Sequence, residues 1–324
     1  MRWSIPRARP ARRRDARFAG DDYGVTAQPD WREVNWRAHL RTAEIGGRAV
    51  RYVDIGEADE GAVVFIHGLS GCWQNWLENI PRFAQERRVI ALDLPGFGES
   101  EMPAEEISIP GYARCVEELC EQLGLGPVAV VGNSMGGFIA AELAIAFPQR
   151  AERLCLVSAA GISIHHVRRE PLLAIARLLA AGGTASAARR ERVLRRPGTT
   201  HLAFAGVFRH PTRLARDLLY EQMNGTGKPG FLPALAAMTT YDFRDRLPEI
   251  GCPTLIVWGR EDLLVPVGDA ERFRRLIPDA RKVVFDDTGH CPMLERPETF
   301  NALLADFLVE RGGAATHDEK TEVA

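Results

Sequence analysis

The chain has 324 residues, ordinary apolar content (46%), and 41 Lys and Arg against 43 Asp and Glu. That length fits one large folding unit with an insertion, or two loosely packed ones. A net charge of −2 excludes a general pull toward nucleic acid or acidic lipid, and no stretch is apolar over the length of a transmembrane helix.

Arg2, Arg7, Arg9, Arg12, Arg13, Arg14 and Arg17 crowd the first seventeen residues. No aromatic or helical face accompanies them, so residues 1–35 are expected to be a basic, disordered, solvated extension rather than a nucleic-acid or membrane arm. No apolar run of secretory length follows. The polar residues 15–24 argue against reading Arg12-Arg13-Arg14 as a twin-arginine signal.

Residues 39–55 read as two strands about Gly46-Gly47, a hairpin turn. Strands and helices then alternate: strand 63–66, helix 73–83, strand 88–94 and helix 112–123. The last of these carries Val116, Leu119, Cys120 and Leu123 on one face. Strand 128–131, helix 138–147 and strand 153–158 follow. Short apolar strands flanked by amphipathic helices imply an α/β fold, its mostly parallel central sheet covered by helices on both faces. The first part of this core is expected over residues 36–161.

From 162 to 243 the alternation breaks. The pattern becomes helical and rich in Ala, Leu and Arg, punctuated at Gly182-Gly183, Pro197-Gly198 and Lys228-Pro229-Gly230. An insertion of about eighty residues is more often functional than not. Placed over the carboxyl ends of the strands, it would roof the place where open sheets bind ligands. A helical substrate lid is expected, with a scaffold elaboration remote from the site as the alternative. Strands resume at 254–258 and 282–285, within a second core part over 244–312. The last helix, 297–309, opens with proline and carries Phe300, Leu303, Leu304, Phe307 and Leu308 on one stripe. Residues 313–324 are expected to be a disordered tail. Cys72, Cys115, Cys120, Cys155, Cys252 and Cys291 form no C-x-x-C pair, which suits buried thiols in a reducing, cytoplasmic setting.

The most informative stretch is Val-Val-Gly-Asn-Ser-Met-Gly-Gly, residues 130–137. A strand runs into Gly132-Asn133-Ser134-Met135-Gly136 and a helix follows at once, the context of a nucleophile elbow. The turn is crowded, so the positions two before and two after the serine must lack side chains, and both are glycine. A serine hydroxyl needs a base, a group to orient that base, and donors for the oxyanion that forms. His290, on a Gly-flexed loop after the last strand, is the candidate base. The other histidines lack that setting, and none has metal-ligand spacing supported by carboxylates, so no metal is expected. Asp262, just beyond a strand end, is the candidate acid. Glu261 beside it is the rival, and Asp286 and Asp287 are nearer to His290 in sequence. Asp93 is expected to organise the Pro95-Gly96-Phe97-Gly98 turn. The oxyanion donors are expected to be the backbone N–H groups of Met135 and Leu69, with His67 a structural residue of the loop.

These motifs, with Asp93-Leu94-Pro95-Gly96-Phe97-Gly98-Glu99-Ser100, Gly259-Arg260-Glu261-Asp262 and Gly289-His290, resemble the α/β-hydrolase fold family over about residues 40–312. The branch is the one with a serine nucleophile and a helical cap. The resemblance implies Ser134 as nucleophile, Asp262 as acid, His290 as base, and hydrolysis without a cofactor. Serine at the elbow argues against the dehalogenase and epoxide-hydrolase branches, which use aspartate there. A carboxylic-ester hydrolase acting on a small, largely apolar molecule is the expected function. That small-molecule substrate is the one partner expected, with no nucleic acid and no stable membrane insertion. One alternative is hydrolysis of a carbon–carbon bond in dienoate ring-cleavage products. The Gly-Asn-Ser-Met-Gly-Gly elbow resembles those enzymes, and Arg168, Arg169, Arg177, Arg189 or Arg190 could meet a substrate carboxylate. Against it, such enzymes tend to carry a longer Gly-rich oxyanion loop and a tryptophan after the histidine, where this chain has Gly68-Leu69-Ser70-Gly71 and Cys291. The other alternative is a non-catalytic small-molecule-binding protein on the same scaffold, which the intact triad disfavours.

Overall fold

Runs rich in Val, Ile and Leu form most of the strands, which are β1 (Ala16–Phe18, without any of these three), β2 (Leu40–Ile45), β3 (Arg48–Ile55), β4 (Ala62–Ile66), β5 (Arg88–Leu92), β6 (Val128–Asn133), β7 (Ala151–Val157), β8 (Thr254–Gly259) and β9 (Ala280–Phe285). In the computed structural model, which describes residues 16–18, 21–57, 61–166 and 187–310, they make one sheet in the order β1-β9-β8-β7-β6-β4-β5-β3-β2. β2 and β3 form the expected hairpin, and β3 runs antiparallel to β5. All other neighbours are parallel.

β4 shows how the sheet divides the core. Ala62, Val64 and Ile66 face one apolar cluster, and Val63 and Phe65 face the other, as the period of two along a strand requires. The first cluster is closed by helices Ile109–Gln122, Met135–Ala146 and Gly268–Leu276. The second is closed by Trp76, Phe83 and helix Pro297–Val309. A strand buried on both faces reads as a continuous apolar run, and β4, β6 and β8 are buried at every residue. No helix among the described residues is long and apolar enough to cross a membrane.

Three local expectations need correction. The helix expected over 73–83 is split into a 3₁₀ turn, Trp73–Trp76, and a helix, Ile80–Phe83. Pro81 has no N–H to give, so it sits in a first turn rather than a helix interior. Helix Ile109–Gln122 starts earlier than expected because Ser108 accepts a hydrogen bond from Gly111 N (3.1 Å) and Pro110 occupies the first turn. The disorder expected over 1–35 is overturned in two places: residues 16–18 form edge strand β1 beside β9, and from residue 21 the chain packs on the core, with Tyr23, Ala27 and Trp31 buried. The indole N–H of Trp31 and the Ala27 N–H both donate to the Glu78 carboxylate (3.0 and 2.8 Å). Most of the arginine run lies outside the described residues, as do 167–186 of the insertion and the tail from 311.

Between β7 and β8 lie helices Ala187–Leu194, Pro197–Phe204, Arg216–Gln222 and Phe231–Thr240. Leu214, Leu218, Leu219 and Met223 join the second apolar cluster, and Ala234, Ala237 and Met238 the first. All six cysteines are free thiols, five of them buried.

Candidate active site

Because β4, β6, β8 and β9 are parallel, their carboxyl ends share one edge of the sheet. Ile66 of β4 leads into the His67 loop, Asn133 of β6 into Ser134, Gly259 of β8 toward Asp262, and Phe285 of β9 toward His290. Topology alone therefore gathers the residues that the sequence scatters.

Ser134 stands alone between β6 and helix Met135–Ala146, with φ 55° and ψ −116°. A non-glycine residue there stores about 1–3 kcal/mol of strain and persists only when its surroundings fix it. Its N–H donates to Val157 O (2.9 Å), and its carbonyl accepts from Ala160 N (3.0 Å) and Phe138 N (3.2 Å). A Cβ on Gly132 would lie 2.1 Å from Gly136 O, and one on Gly136 would lie 2.1 Å from Ile66 O. The requirement for two glycines is thus a matter of backbone clash. From 128 to 145 every residue is buried except Ser134.

His290 is 4% exposed. Its Nδ1 lies 2.8 Å from Asp262 Oδ2, while Asp262 Oδ1 accepts from Leu264 N (2.8 Å) and Val265 N (3.0 Å). The carboxylate is held at both oxygens. With the Nδ1 proton directed to Asp262, Nε2 is left as the acceptor. The backbone of His290 is fixed as well: its N–H donates to Val207 O (2.8 Å), and its carbonyl accepts from the Asn133 side chain (3.3 Å). Asn133, which precedes Ser134, therefore ties the elbow directly to the histidine loop. Among the described residues Ser134 Oγ and His290 make no hydrogen bond with each other. Ligand-free sites often hold this pair apart until substrate tightens the arrangement.

The rival carboxylates are engaged elsewhere. Glu261 accepts from Thr288 N (2.9 Å), Asp286 pairs with Arg260, and Asp287 lies 2.8 Å from His210 Nε2. Asp93 accepts from Trp73 N and Glu99 N (both 2.8 Å), fixing the turn after β5, and burial pushes its carboxyl up to about 6. His67 donates from Nδ1 to Gly68 O (2.7 Å) and accepts at Nε2 from Leu94 N (3.0 Å). Burial lowers its pKa to about 4, so it is a neutral brace of the loop.

That loop passes against the elbow. A Cβ on Gly68 would lie 3.1 Å from Ser134 Cβ. Among the described residues neither the Leu69 N–H nor the Met135 N–H, the latter in the first turn of its helix, is given to a protein acceptor. The insertion bears on both loops. Besides the bond from His290 N to Val207 O, Gly225 is packed so that a Cβ would lie 2.2 Å from Ser70 O. The Gln222 side chain accepts from Asn75 Nδ2 (2.5 Å) and donates to Gln74 O (3.0 Å). Of the insertion arginines singled out in the sequence, Arg168, Arg169 and Arg177 lie outside the described residues. Arg190 bonds Asn224 and stacks over the Tyr220 ring at 5.6 Å.

Sequence reasoning passed over two residues of this frame. Asn133 lay inside the elbow motif, yet nothing local announced a partner 157 positions away. Glu295 lay five residues after His290, in the short helix Pro292–Glu295, with no pattern to separate it from a surface carboxylate.

A family model described as "alpha/beta hydrolase fold" matches residues 61–297. The chain is 32% identical over 314 residues to the dihydrolipoyllysine-residue acetyltransferase component of an acetoin cleaving system from Cupriavidus necator, covering 92% of this chain and 77% of that protein. It is 30% identical over 287 residues to a 2-hydroxy-6-oxo-6-phenylhexa-2,4-dienoate hydrolase from Comamonas testosteroni, covering 85% and 96%. Among solved structures, a thermophilic esterase from Thermogutta terrifontis superposes with a TM-score of 0.64 at 26% identity, over 83% of this chain and 98% of that one.

Proposed function

On the premise that this chain belongs to the α/β-hydrolase fold family, we propose that it is a serine hydrolase cleaving small, largely apolar carboxylic esters. The observation that carries the reading is the buried His290–Asp262 pair, joined through Asn133 to the turn that presents Ser134. In the proposed reaction Nε2 of His290 takes the Ser134 proton as Oγ attacks the ester carbonyl. The N–H groups of Leu69 and Met135 hold the resulting oxyanion. One such donor is worth about 3 kcal/mol in the transition state. His290 then gives its proton to the departing alkoxide, and Asp262 stabilises the imidazolium between the two transfers. Water, deprotonated by the same imidazole, releases the acid and restores the hydroxyl. No cofactor enters these steps. The described part of the insertion, resting on both the histidine and Leu69 loops, walls the site in this reading.

The test is covalent labelling by a fluorophosphonate, followed by turnover of aryl esters of graded acyl length. Labelling is expected in the wild type and absent in Ser134→Ala. A folded wild type that takes no label contradicts the reading and favours a binding protein.

A second reading, hydrolysis of a carbon–carbon bond in a dienoate, is favoured by the relative from Comamonas testosteroni. The short Gly68-Leu69-Ser70-Gly71 loop and the internal engagement of Arg190 weigh against it. Rapid dienoate loss with negligible ester turnover would reverse the preference.

A further inference from the structure

Glu295 is fully buried, and its carboxylate accepts four hydrogen bonds. Oε2 accepts from Tyr23 OH (2.7 Å), Arg209 N (2.7 Å) and Gly289 N (3.0 Å), and Oε1 accepts from Cys291 N (3.1 Å). Gly289 and Cys291 flank His290, so one carboxylate staples the backbone on both sides of the imidazole. Tyr23 OH itself accepts from His210 N (2.7 Å), so its proton is directed to Glu295. Burial pushes the carboxyl pKa up, and the hydrogen bonds oppose it. Every partner is a donor, and a set of four donors is matched by a carboxylate that only accepts. Three segments distant in sequence meet on this group: the N-terminal stretch through Tyr23, the insertion through Arg209, and the histidine loop.

We propose that Glu295, backed by the Tyr23 hydroxyl, is the positioning residue of His290, and that the N-terminal stretch and the insertion both bear on catalysis through it. The proposal rests on the serine-hydrolase reading of Ser134 and His290. A rotation of the loop by an ångström at the imidazole is enough to slow proton transfer about a hundredfold. Glu295 and Tyr23 are both buried, so their loss is expected to act on the chemical step rather than on binding.

The experiment is saturation kinetics of fluorophosphonate labelling, which separates the maximal rate, kinact, from the half-saturating concentration. In Glu295→Gln one oxygen becomes an NH₂ facing a backbone N–H, so Gly289 and Cys291 cannot both be held. kinact is expected to fall about tenfold or more, with half-saturation unchanged. Tyr23→Phe keeps the ring and removes only the hydroxyl, and a several-fold fall in kinact is expected. A purely structural role would lower the melting midpoint of either variant and leave kinact, measured well below that midpoint, at the wild-type value; that result in folded Glu295→Gln overturns the proposal. If Glu295→Gln does not fold, Tyr23→Phe decides: a fall in kinact sustains the proposal and an unchanged kinact overturns it. A folded wild type that takes no label, or labelling that persists in Ser134→Ala, overturns the underlying reading as well. Normal wild-type labelling beside unaffected variants overturns the positioning role alone.

Discussion

His67 is wholly buried and already has both ring nitrogens in use, Nδ1 toward Gly68 O and Nε2 accepting from Leu94 N. A second proton would sit on Nε2 and face a donor. Burial lowers the folded-state pKa from 6.5 to about 4. Between those values the unfolded chain binds the proton and the folded chain does not, so stability rises with pH from about 4 to 6.5. The difference amounts to roughly 3 kcal/mol. Asp93 and Glu78 act in the opposite sense, since burial raises them to about 6 and about 7. Comparison with His67→Asn, which cannot titrate, subtracts both. Between pH 7 and pH 4.5 urea unfolding should show the wild type losing about 2 kcal/mol more than the variant; parallel curves would contradict the assignment. The structural role of His67 was legible in the sequence, because it begins a loop already assigned to oxyanion donors. The sequence alone does not separate Asp262 from Glu261. Two adjacent carboxylates at a strand end differ only in where the turn aims them, and that depends on Leu264 N, Val265 N and Thr288 N.

Elements with a strong period were legible nearly to the residue, as in helix Pro297–Val309 and the hairpin of β2 and β3. The stretch from 21 to 35 was not, because it has no period to read. Its anchors are single polar contacts to distant partners. Asp22 accepts from Thr299 N (2.9 Å) in the first turn of helix Pro297–Val309, Gly24 N donates to Glu295 O (2.8 Å), and Arg32 clamps Asp217 of the insertion. Such contacts are specified by the fold and leave no local signature. Their weight differs sharply. Trp31 is buried and donates to Glu78, so Trp31→Ala removes a buried aromatic side chain from the second apolar cluster and leaves a buried carboxylate oxygen without its donor. A loss of about 3–5 kcal/mol is expected in urea unfolding. The Arg32–Asp217 pair is substantially exposed, at 31% and 50% of the two side chains, and Arg32→Ala should cost no more than about 1 kcal/mol. Equal losses in the two variants would mean that the stretch is held by charge rather than by burial.

At the scale of the molecule, the break in strand–helix alternation marked the insertion in the sequence, but not how it is attached. Its apolar residues Leu214, Leu218, Leu219 and Met223 lie in the same cluster as Phe65 and Trp76 under the sheet. Swinging this part away as a rigid flap would expose that seam. Several of its backbone contacts fall at the site itself: Val207 O on His290 N, Gly230 N on Gly96 O (2.9 Å), and Gly225 against the loop that carries Leu69. The described part of the insertion is therefore a fixed wall, and the proposed oxyanion loop is clamped between it and the elbow. Gly225 tests this. A Cβ there would lie 2.2 Å from Ser70 O and 2.5 Å from Gly71 O, both backbone atoms with no rotamer to yield. Gly225→Ala must part the insertion from the loop, at an overpacking cost of about 1–3 kcal/mol. Moving Leu69 in this way should lower kinact for the fluorophosphonate, because phosphonylation of Ser134, with loss of fluoride, places the phosphoryl oxygen on the same donors. Gly198→Ala, in helix Pro197–Phe204, is the internal control, because a Cβ there meets nothing within 4 Å. It should be neutral or stabilising by up to about 1 kcal/mol and leave kinact unchanged. If Gly225→Ala labels at the wild-type rate, the insertion does not set the geometry of the oxyanion loop, and its role reduces to covering the site.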